Sequence, residues 1–410
     1  LELRILIFFN HQLSREVMSG GEKMFLEVSK RYGKFGVNAS CAVPEIAVEE
    51  LMKEGLRTRF FTIPCLGFEY NSYKDTAMDA LKIALVFTFR TIYCSLMIFK
   101  WLRESRADCV YSTGDFIPDT VPAMFARLLV GIKWIAVIHH IIESPVKRRT
   151  GSTLSNTGAY LMQRFSFILI KYFAAGVFVK NEGVRGSLLG MGFKEKNLFI
   201  IDNGVDLKRI EGMPSDYPRP FDACYIGRLS ASKGVGDLIN IWGKVIESLP
   251  EARLAIIGGG SRRLEEEKRE TVREMNLERN IEILGSLSDE EAYRVRKTSK
   301  LSLSCSYEEG WGITIAESLA CGVPCIVYNL PVYEEKFAGA VETVPKGDFD
   351  AFAGAVVEIL KDKGKRDRLS RQGREVVKNY DIDNVVRREA GVIKGICSGL
   401  KEEKKWEKAF

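Results

Sequence analysis

The sequence predicts an α/β protein built from two doubly wound units, and three observations carry that prediction. A strand, a glycine turn and a helix open the chain between Leu3 and Tyr32, and the same succession returns between Ala223 and Glu247. Short apolar runs of strand length alternate with helical stretches on either side of the restart, the pattern of parallel sheets covered by helices. At 410 residues the chain is long enough for two domains of ordinary size, each with its own core.

Composition narrows the class. Apolar residues at 46% with 28% charged residues describe a soluble globular protein rather than a disordered one. A formal charge of +6 and a pI near 8.7 suit an anionic substrate or a lipid headgroup surface, and are too mild to imply nucleic acid. Nine scattered cysteines without metal-ligand spacing point to free thiols in a reducing compartment. Cys321 and Cys325 are the nearest pair, with no histidine beside them to complete a zinc site. No secretory signal is visible, because Leu3 to Phe9 is a short strand-like run soon followed by polar residues, and the missing initiator Met points to a trimmed chain.

Taken in order, Leu3 to Phe9 reads as a buried strand and Asn10 to Gly21 as a polar loop closing on Ser19-Gly20-Gly21. Met24, Phe25, Val28 and Tyr32 then recur at helical spacing before the next strand, Val37 to Val43. Glycines between a first strand and its helix let a phosphate approach the helix N-terminus, so the unit is Rossmann-like in logic. It lacks the G-x-G-x-x-G spacing, which argues against a nicotinamide or flavin cofactor. Strands follow at Thr58 to Ile63, Ala107 to Ser112 and Trp134 to His139. Ligands bind beyond the carboxyl ends of such strands, here Ser112 to Asp115 and His139-His140.

Between these strands lies Asp79 to Arg103, apolar but interrupted by Lys82, Arg90 and Lys100. Its longest uncharged run is nine residues, about half of the roughly 20 that span a bilayer. A buried helix is the first expectation, and an interfacial helix the second. Glu143 to Gln163 reads as a polar, mobile loop at the mouth of the ligand crevice, with Lys147, Arg148 and Arg149 as candidates for meeting a phosphate or pyrophosphate.

A strand ending near Lys180 and a helix over Asn181 to Met191 lead to Asn203-Gly204-Val205-Asp206 and the proline-stiffened segment from Pro214 to Pro220. The second unit opens with Ala223 to Gly227, then Arg228, Lys233 and Gly234. Two fixed cations beside a helix start can hold a diphosphate and neutralise charge as it leaves. Leu254 to Gly260, Ile281 to Gly285 and Leu301 to Cys305 are further strands with their turns. They lead into Glu309-Gly310-Trp311-Gly312-Ile313-Thr314 and a short helix ended by Gly322. The first amides of that helix, near Ile313 and Thr314, suit a phosphate. Glu309 and Glu317 flank the spot, too far apart to serve one group. Two distant carboxylates around a phosphate site describe a diphosphate with a sugar at each end, a nucleotide sugar.

The E-x7-E spacing from Glu309 to Glu317, with Gly227, Arg228, Lys233 and Gly234 in the pattern G-R-x-x-x-x-K-G, resembles glycosyltransferase family 4, retaining enzymes of the GT-B fold. Resemblance covers nearly the whole chain and is most specific from Asn203 to Pro324. It implies two Rossmann-like domains facing across a cleft, an acceptor-side domain at 1–203 and a nucleotide-sugar-binding domain at 204–380. Residues 381–410 would form a helix crossing back to the first domain, with a solvated tail. It also implies that Gly20 and Gly21 sit over the donor diphosphate. His139, with His140 as fallback, would touch the donor sugar, which Glu309 orients while Glu317 holds the ribose. The nucleotide base would lie near the turns at 258–260 and 285.

The implied reaction moves a sugar from a nucleoside diphosphate to a hydroxyl with retention, onto a glycan or lipid-linked acceptor. No cofactor and no metal are expected, since Arg228, Lys233 and helix amides supply the positive charge. The expected setting is cytoplasmic, with peripheral contact at the inner face of the membrane as a further expectation. A nucleotide-sugar epimerase, a phosphorylase and a noncatalytic sugar-nucleotide-binding subunit are the alternatives.

Overall fold

The computed structural model describes residues 2–10, 20–65, 77–145, 153–218 and 220–398. It contains two compact units, one of Leu1–Asp202 with Asp383–Phe410 and one of Asn203–Ile382. Each is a parallel sheet wound in both directions, so the expected class of fold, two Rossmann-like units of the GT-B kind, is what the chain adopts.

The first sheet has seven strands, β1 (Leu3–Phe8), β2 (Val37–Pro44), β3 (Arg59–Ile63), β4 (Cys109–Ser112), β5 (Lys133–Ile138), β6 (Gly176–Val179) and β7 (Leu198–Ile200). Their order is β3-β2-β1-β4-β5-β6-β7. The winding reverses between β1 and β4, and a ligand crevice opens beyond the carboxyl ends of the strands at such a point. Runs such as Ile5 to Phe8 and Trp134 to Ile138 are buried on both faces, as a helix-covered parallel sheet requires. The second sheet has six strands, β8 (Ala223–Ile226), β9 (Leu254–Ile257), β10 (Ile281–Gly285), β11 (Leu301–Ser304), β12 (Cys325–Tyr328) and β13 (Val341–Val344). Its order is β10-β9-β8-β11-β12-β13, reversing between β8 and β11.

The last described helix, Ile382–Ser398, belongs to the first unit from Asp383 onward. Tyr32 and Tyr111 both donate their phenolic protons to the same oxygen of Glu389, over 2.8 and 2.6 Å. All three groups are buried. Burial, reinforced by the Glu389 charge, pushes both phenols far above the ordinary tyrosine range, so they remain donors. Arg31 meets Asp383 at 3.1 Å. The absence of a side chain at Gly176 lets Ile396 close in, for a Cβ there would lie 2.4 Å from its Cδ1.

Two expectations are corrected. The polar loop expected from Glu143 to Gln163 is helical from Thr153 onward, in Thr153–Phe173. Its polar residues are partly internal: Gln163 is buried and donates to Asp115 and to the His140 carbonyl, while its own oxygen accepts from the Ile142 amide. Polarity there reflects backbone groups needing partners at the end of β5, not solvent. Lys147, Arg148 and Arg149 lie outside the described residues. The segment expected as a buried helix, Asp79 to Arg103, lies within Ala77–Ser105 but is buried on one face only, through Arg90, Cys94, Ile98 and Trp101.

Gly258 illustrates how the second sheet is closed up. Its φ is +135° and a Cβ on it would lie 1.9 Å from the Gly227 carbonyl oxygen. Backbone cannot yield as a flexible side chain does, so Gly258→Ala is expected to cost at least about 2 kcal/mol. In urea unfolding the midpoint should fall with the slope unchanged; an unshifted midpoint would refute the close approach.

Candidate nucleotide-sugar site

Adjacent strands β8 and β11 end side by side, and the loops that follow them carry the charged residues singled out in the sequence. Lys233 ends a single 3-10 turn, Ala231–Lys233, and Gly234 follows with φ +66°. A Cβ on Gly234 would meet the Cys305 carbonyl oxygen at 2.0 Å, so glycine is what allows this loop to touch the end of β11. The Tyr307 amide donates to the Ser232 carbonyl across the same join, 2.9 Å away. Lys233 Nζ thereby reaches Glu309 Oε2 at 2.7 Å, although 76 residues separate them. Both side chains keep about a fifth of their surface accessible, at 20% and 19%. The pair is formed yet within reach of a ligand.

Arg228 is exposed on the turn after β8, its carbonyl held by the Tyr225 hydroxyl at 2.9 Å. Gly227 precedes it where a Cβ would collide with that hydroxyl at 2.7 Å. Gly310 lies beside Glu309, whose Oε1 accepts from its amide at 3.2 Å. Trp311 points inward, edge-on to Phe337 and Tyr380 with ring centroids 5.6 and 5.0 Å away. Its indole anchors the loop, which leaves its backbone as the part able to meet a ligand. Gly312 caps the helix Ile313–Ala320 with φ +95°. The helical hydrogen bonds begin with the amides of Ile315 and Ala316, both onto the Gly312 carbonyl. Ile313 and Thr314 therefore stand ahead of the helix's own ladder, at the positive end of its dipole.

Glu317 sits one turn further on and is paired with a residue that sequence reading missed. Arg296 Nη2 donates to Glu317 Oε2 at 2.9 Å, with Arg296 2% and Glu317 21% exposed. Burial alone would favour the neutral form of Arg296, but the Glu317 carboxylate overrides it and holds the guanidinium charged, its pKa raised. The guanidinium also lies 5.0 Å from the Tyr293 ring centre. In sequence the helix Asp289–Thr298 looks like a solvated charged surface, capped by the Ser288–Glu291 box. Tyr293, Val295 and Arg296 are its buried residues, and in the sequence only the apolar Tyr293 and Val295 among so many charges signal that it has an inner side. The nine cysteines are free. Burial pushes the Cys321 thiol, near this pair, up to about 11, so it packs as a small neutral group.

In the first unit, Gly20 and Gly21 are the first residues of the helix Gly20–Arg31. His139 follows β5 directly and hydrogen-bonds through Nε2 to the Thr113 carbonyl at 2.9 Å. A carbonyl only accepts, so Nε2 carries the proton. Gly21, Thr113, His139 and Lys180 line a common recess of about 30 Å³. His140 is exposed. A larger hollow of about 550 Å³ lies among Arg253, Asn280 and Glu282, at the amino ends of β9 and β10, away from the ends where such sheets bind ligands.

Residues 214–376 match the model of the family described as glycosyl transferases group 1, and the matched segment takes in every second-unit residue of this site. The phosphatidyl-myo-inositol mannosyltransferase of Mycobacterium leprae is 29% identical over 190 residues, 44% of this chain and 49% of that protein. The poly(glycerol-phosphate) alpha-glucosyltransferase of Bacillus subtilis is 24% identical over 240 residues, 56% of this chain and 34% of that protein. The chain thus spans between a third and a half of the length of these curated relatives. Among solved structures, Anabaena HepE in complex with UDP and glucose aligns with a TM-score of 0.72 at 15% identity, covering 96% of this chain and 100% of that one. Sucrose-phosphate synthase from Thermosynechococcus elongatus aligns with a TM-score of 0.75 at 15% identity, covering 97% and 100%. At such identity the likeness is one of fold.

The Arg296–Glu317 pair makes an asymmetric prediction. Glu317→Ala strands a fully buried guanidinium and is expected to cost about 3 kcal/mol or more, whereas Arg296→Met leaves a carboxylate that can still reach water and should cost less than half as much. Chemical denaturation of both variants measures this. Equal losses would mean that Arg296 is not desolvated as described.

Proposed function

We propose that the protein is a retaining glycosyltransferase of the family 4 type, moving a sugar from a nucleoside-diphosphate sugar to a hydroxyl of a glycan or lipid-linked acceptor. The observation that carries this reading is the Lys233–Glu309 pair at the reversal point of the second sheet, next to the amino end of the helix Ile313–Ala320. Without a ligand the two charges neutralise each other. A bound diphosphate takes over Lys233 and releases Glu309 to accept from sugar hydroxyls. Arg228 and Lys233 then stabilise the leaving diphosphate, and the amides near Ile313 and Thr314 add the helix dipole. Glu317, aimed by Arg296, holds the ribose diol. Gly20, Gly21 and His139 serve the donor from the first unit, His139 at the sugar.

Retention by covalent double displacement would need two carboxyl groups only about 5 Å apart across one bond. Glu309 and Glu317 answer to different cations, which supports departure and attack on the same face instead. With positive charge supplied by Arg228, Lys233 and backbone amides, the reaction needs no metal, and turnover is expected to survive a chelator. Complete loss of activity in EDTA, restored by a divalent cation, would contradict this. Lys147, Arg148 and Arg149 are the acceptor-side candidates for a phosphate or pyrophosphate, the chemistry of a lipid carrier. Peripheral association with the membrane's inner face accords with such an acceptor. Transfer is favoured over an epimerase, a phosphorylase or a binding subunit because the matched family is a transferase family and the site groups are those that a departing diphosphate requires.

Thermal unfolding with UDP, GDP and ADP tests the site. One of them at 100 times its dissociation constant should add about 2.7 kcal/mol, and Arg228→Ala should abolish the gain. A gain that the variant keeps would place the nucleotide elsewhere. Lys233→Ala should weaken nucleotide binding and turnover together, since it also strands Glu309. NMR of the product's anomeric carbon against that of the donor decides retention, and inversion would overturn the proposed chemistry.

A further inference from the structure

Three segments of the first unit form one helical layer against its sheet: Ala77–Ser105, Ile117–Phe125 continued by Ala126–Val130, and Thr153–Phe173. Their inner sides share one core, through residues such as Cys94 and Ile98, Ala123 and Ala126, and Phe167 and Ile170. The outer side of an ordinary surface helix is polar. Here it is not. Leu81, Leu85, Ile92, Leu96 and Phe99 recur at helical spacing on the exposed side of the first helix. Leu161, Phe165, Ile168 and Tyr172 do the same on the third, and the middle segment ends in exposed Leu128, Leu129 and Val130. Leu96 is 74% and Tyr172 70% exposed, so nothing else among the described residues shelters them. Apart from Met52, every large apolar side chain exposed among the described residues lies on these three segments. Concentration of that kind marks an interaction surface, whereas scattered single residues do not.

Charge selects the occupant. Acidic residues of the first helix stand only near its ends, Asp79 and a Glu104 that faces Arg59 and Lys100. Residues 81–103, 126–133 and 153–173 contain no Asp or Glu, while Lys82, Lys100, Arg103, Arg127, Arg164 and Lys171 stand among them. A second copy of this chain would set cations against cations. An anionic bilayer answers both features, taking the apolar stripes between its headgroups and the basic side chains at its phosphates. Leu81–Ser105 is long and apolar enough to cross a membrane by length and composition. Its inner side, however, covers the sheet, where buried Arg90 donates to the Asn10 carbonyl at 2.9 Å and to the Cys65 sulfur at 3.4 Å. That side cannot be given to lipid, so the helix lies along the surface rather than across it.

We propose that this three-helix layer is the face by which the protein lies on an anionic lipid bilayer. The inference stands on the first unit alone and does not depend on the proposed transfer reaction. Flotation of the full chain with vesicles of phosphatidylcholine, alone or with phosphatidylglycerol at about one part in three, tests it. Partition onto the anionic vesicles should be at least about tenfold stronger and should fall with added salt. Leu96→Asp with Phe165→Asp, both at exposed positions, should abolish it while the thermal midpoint stays in place. Lys82→Glu with Lys100→Glu should remove the preference for anionic lipid. No association with the anionic vesicles, or association undiminished in the Leu96/Phe165 variant, overturns the proposal. So does a concentration-dependent dimer that the same variant dissolves, which would assign the face to a second copy.

Discussion

Everything proposed for the second unit depends on one close approach, that of the loop after β8 to the carboxyl end of β11. Strand order brings the two ends together, but only a residue without a side chain at Gly234 lets the backbones touch, since a Cβ would stand 2.0 Å from the Cys305 carbonyl. From that contact follow the Lys233–Glu309 pair, the position of Arg228 on the preceding turn and the alignment of both with the helix that begins at Ile313. The site is therefore a property of backbone packing first and of charge second. Lys233 and Glu309 are held ready by one another, at little cost because both are only part-buried, whereas Glu317 is held by an Arg296 that is buried.

The strands and their alternation with helices were legible because parallel strands buried on both faces are short apolar runs that few other elements imitate. Glu309, Glu317, Arg228 and Lys233 were legible for a different reason, since their spacing is tied to glycines whose backbone conformation the motif requires. What was not legible has a common cause. Arg296 sits in a helix that is charged along most of its length, and only a partner on another element shows that it points inward. Gln163 and its neighbours look like loop because they are polar, yet they are polar to satisfy backbone groups after β5. The helix Ala77–Ser105 looks like core because it is apolar, yet half of that surface faces outward. In each case the sequence carries the side-chain character and the fold alone decides which way it turns.

The two units treat charge differently. In the second, ionised groups meet at the strand ends, where a substrate can compete for them. In the first, beside surface ion pairs such as Lys53–Glu49 and Arg185–Glu195, charge is buried and committed in Arg90 and Glu389 and cationic along an apolar helical layer. Modest net charge over the whole chain hides this division, which is why composition excluded partners better than it chose them.

The placement of Glu389 also fixes an order of assembly. The phenols of Tyr32 and Tyr111 leave the ribosome before the second unit does, but the carboxylate that satisfies both arrives only after residues 203–382 have been synthesised. The second unit is contiguous and can close on itself in that interval, as domains made in sequence generally do. The first unit must wait with an open flank along Gly176 and two buried-to-be hydroxyls still bonded to water. Maturation of this protein is thus a return journey, in which the half begun first is the half finished last.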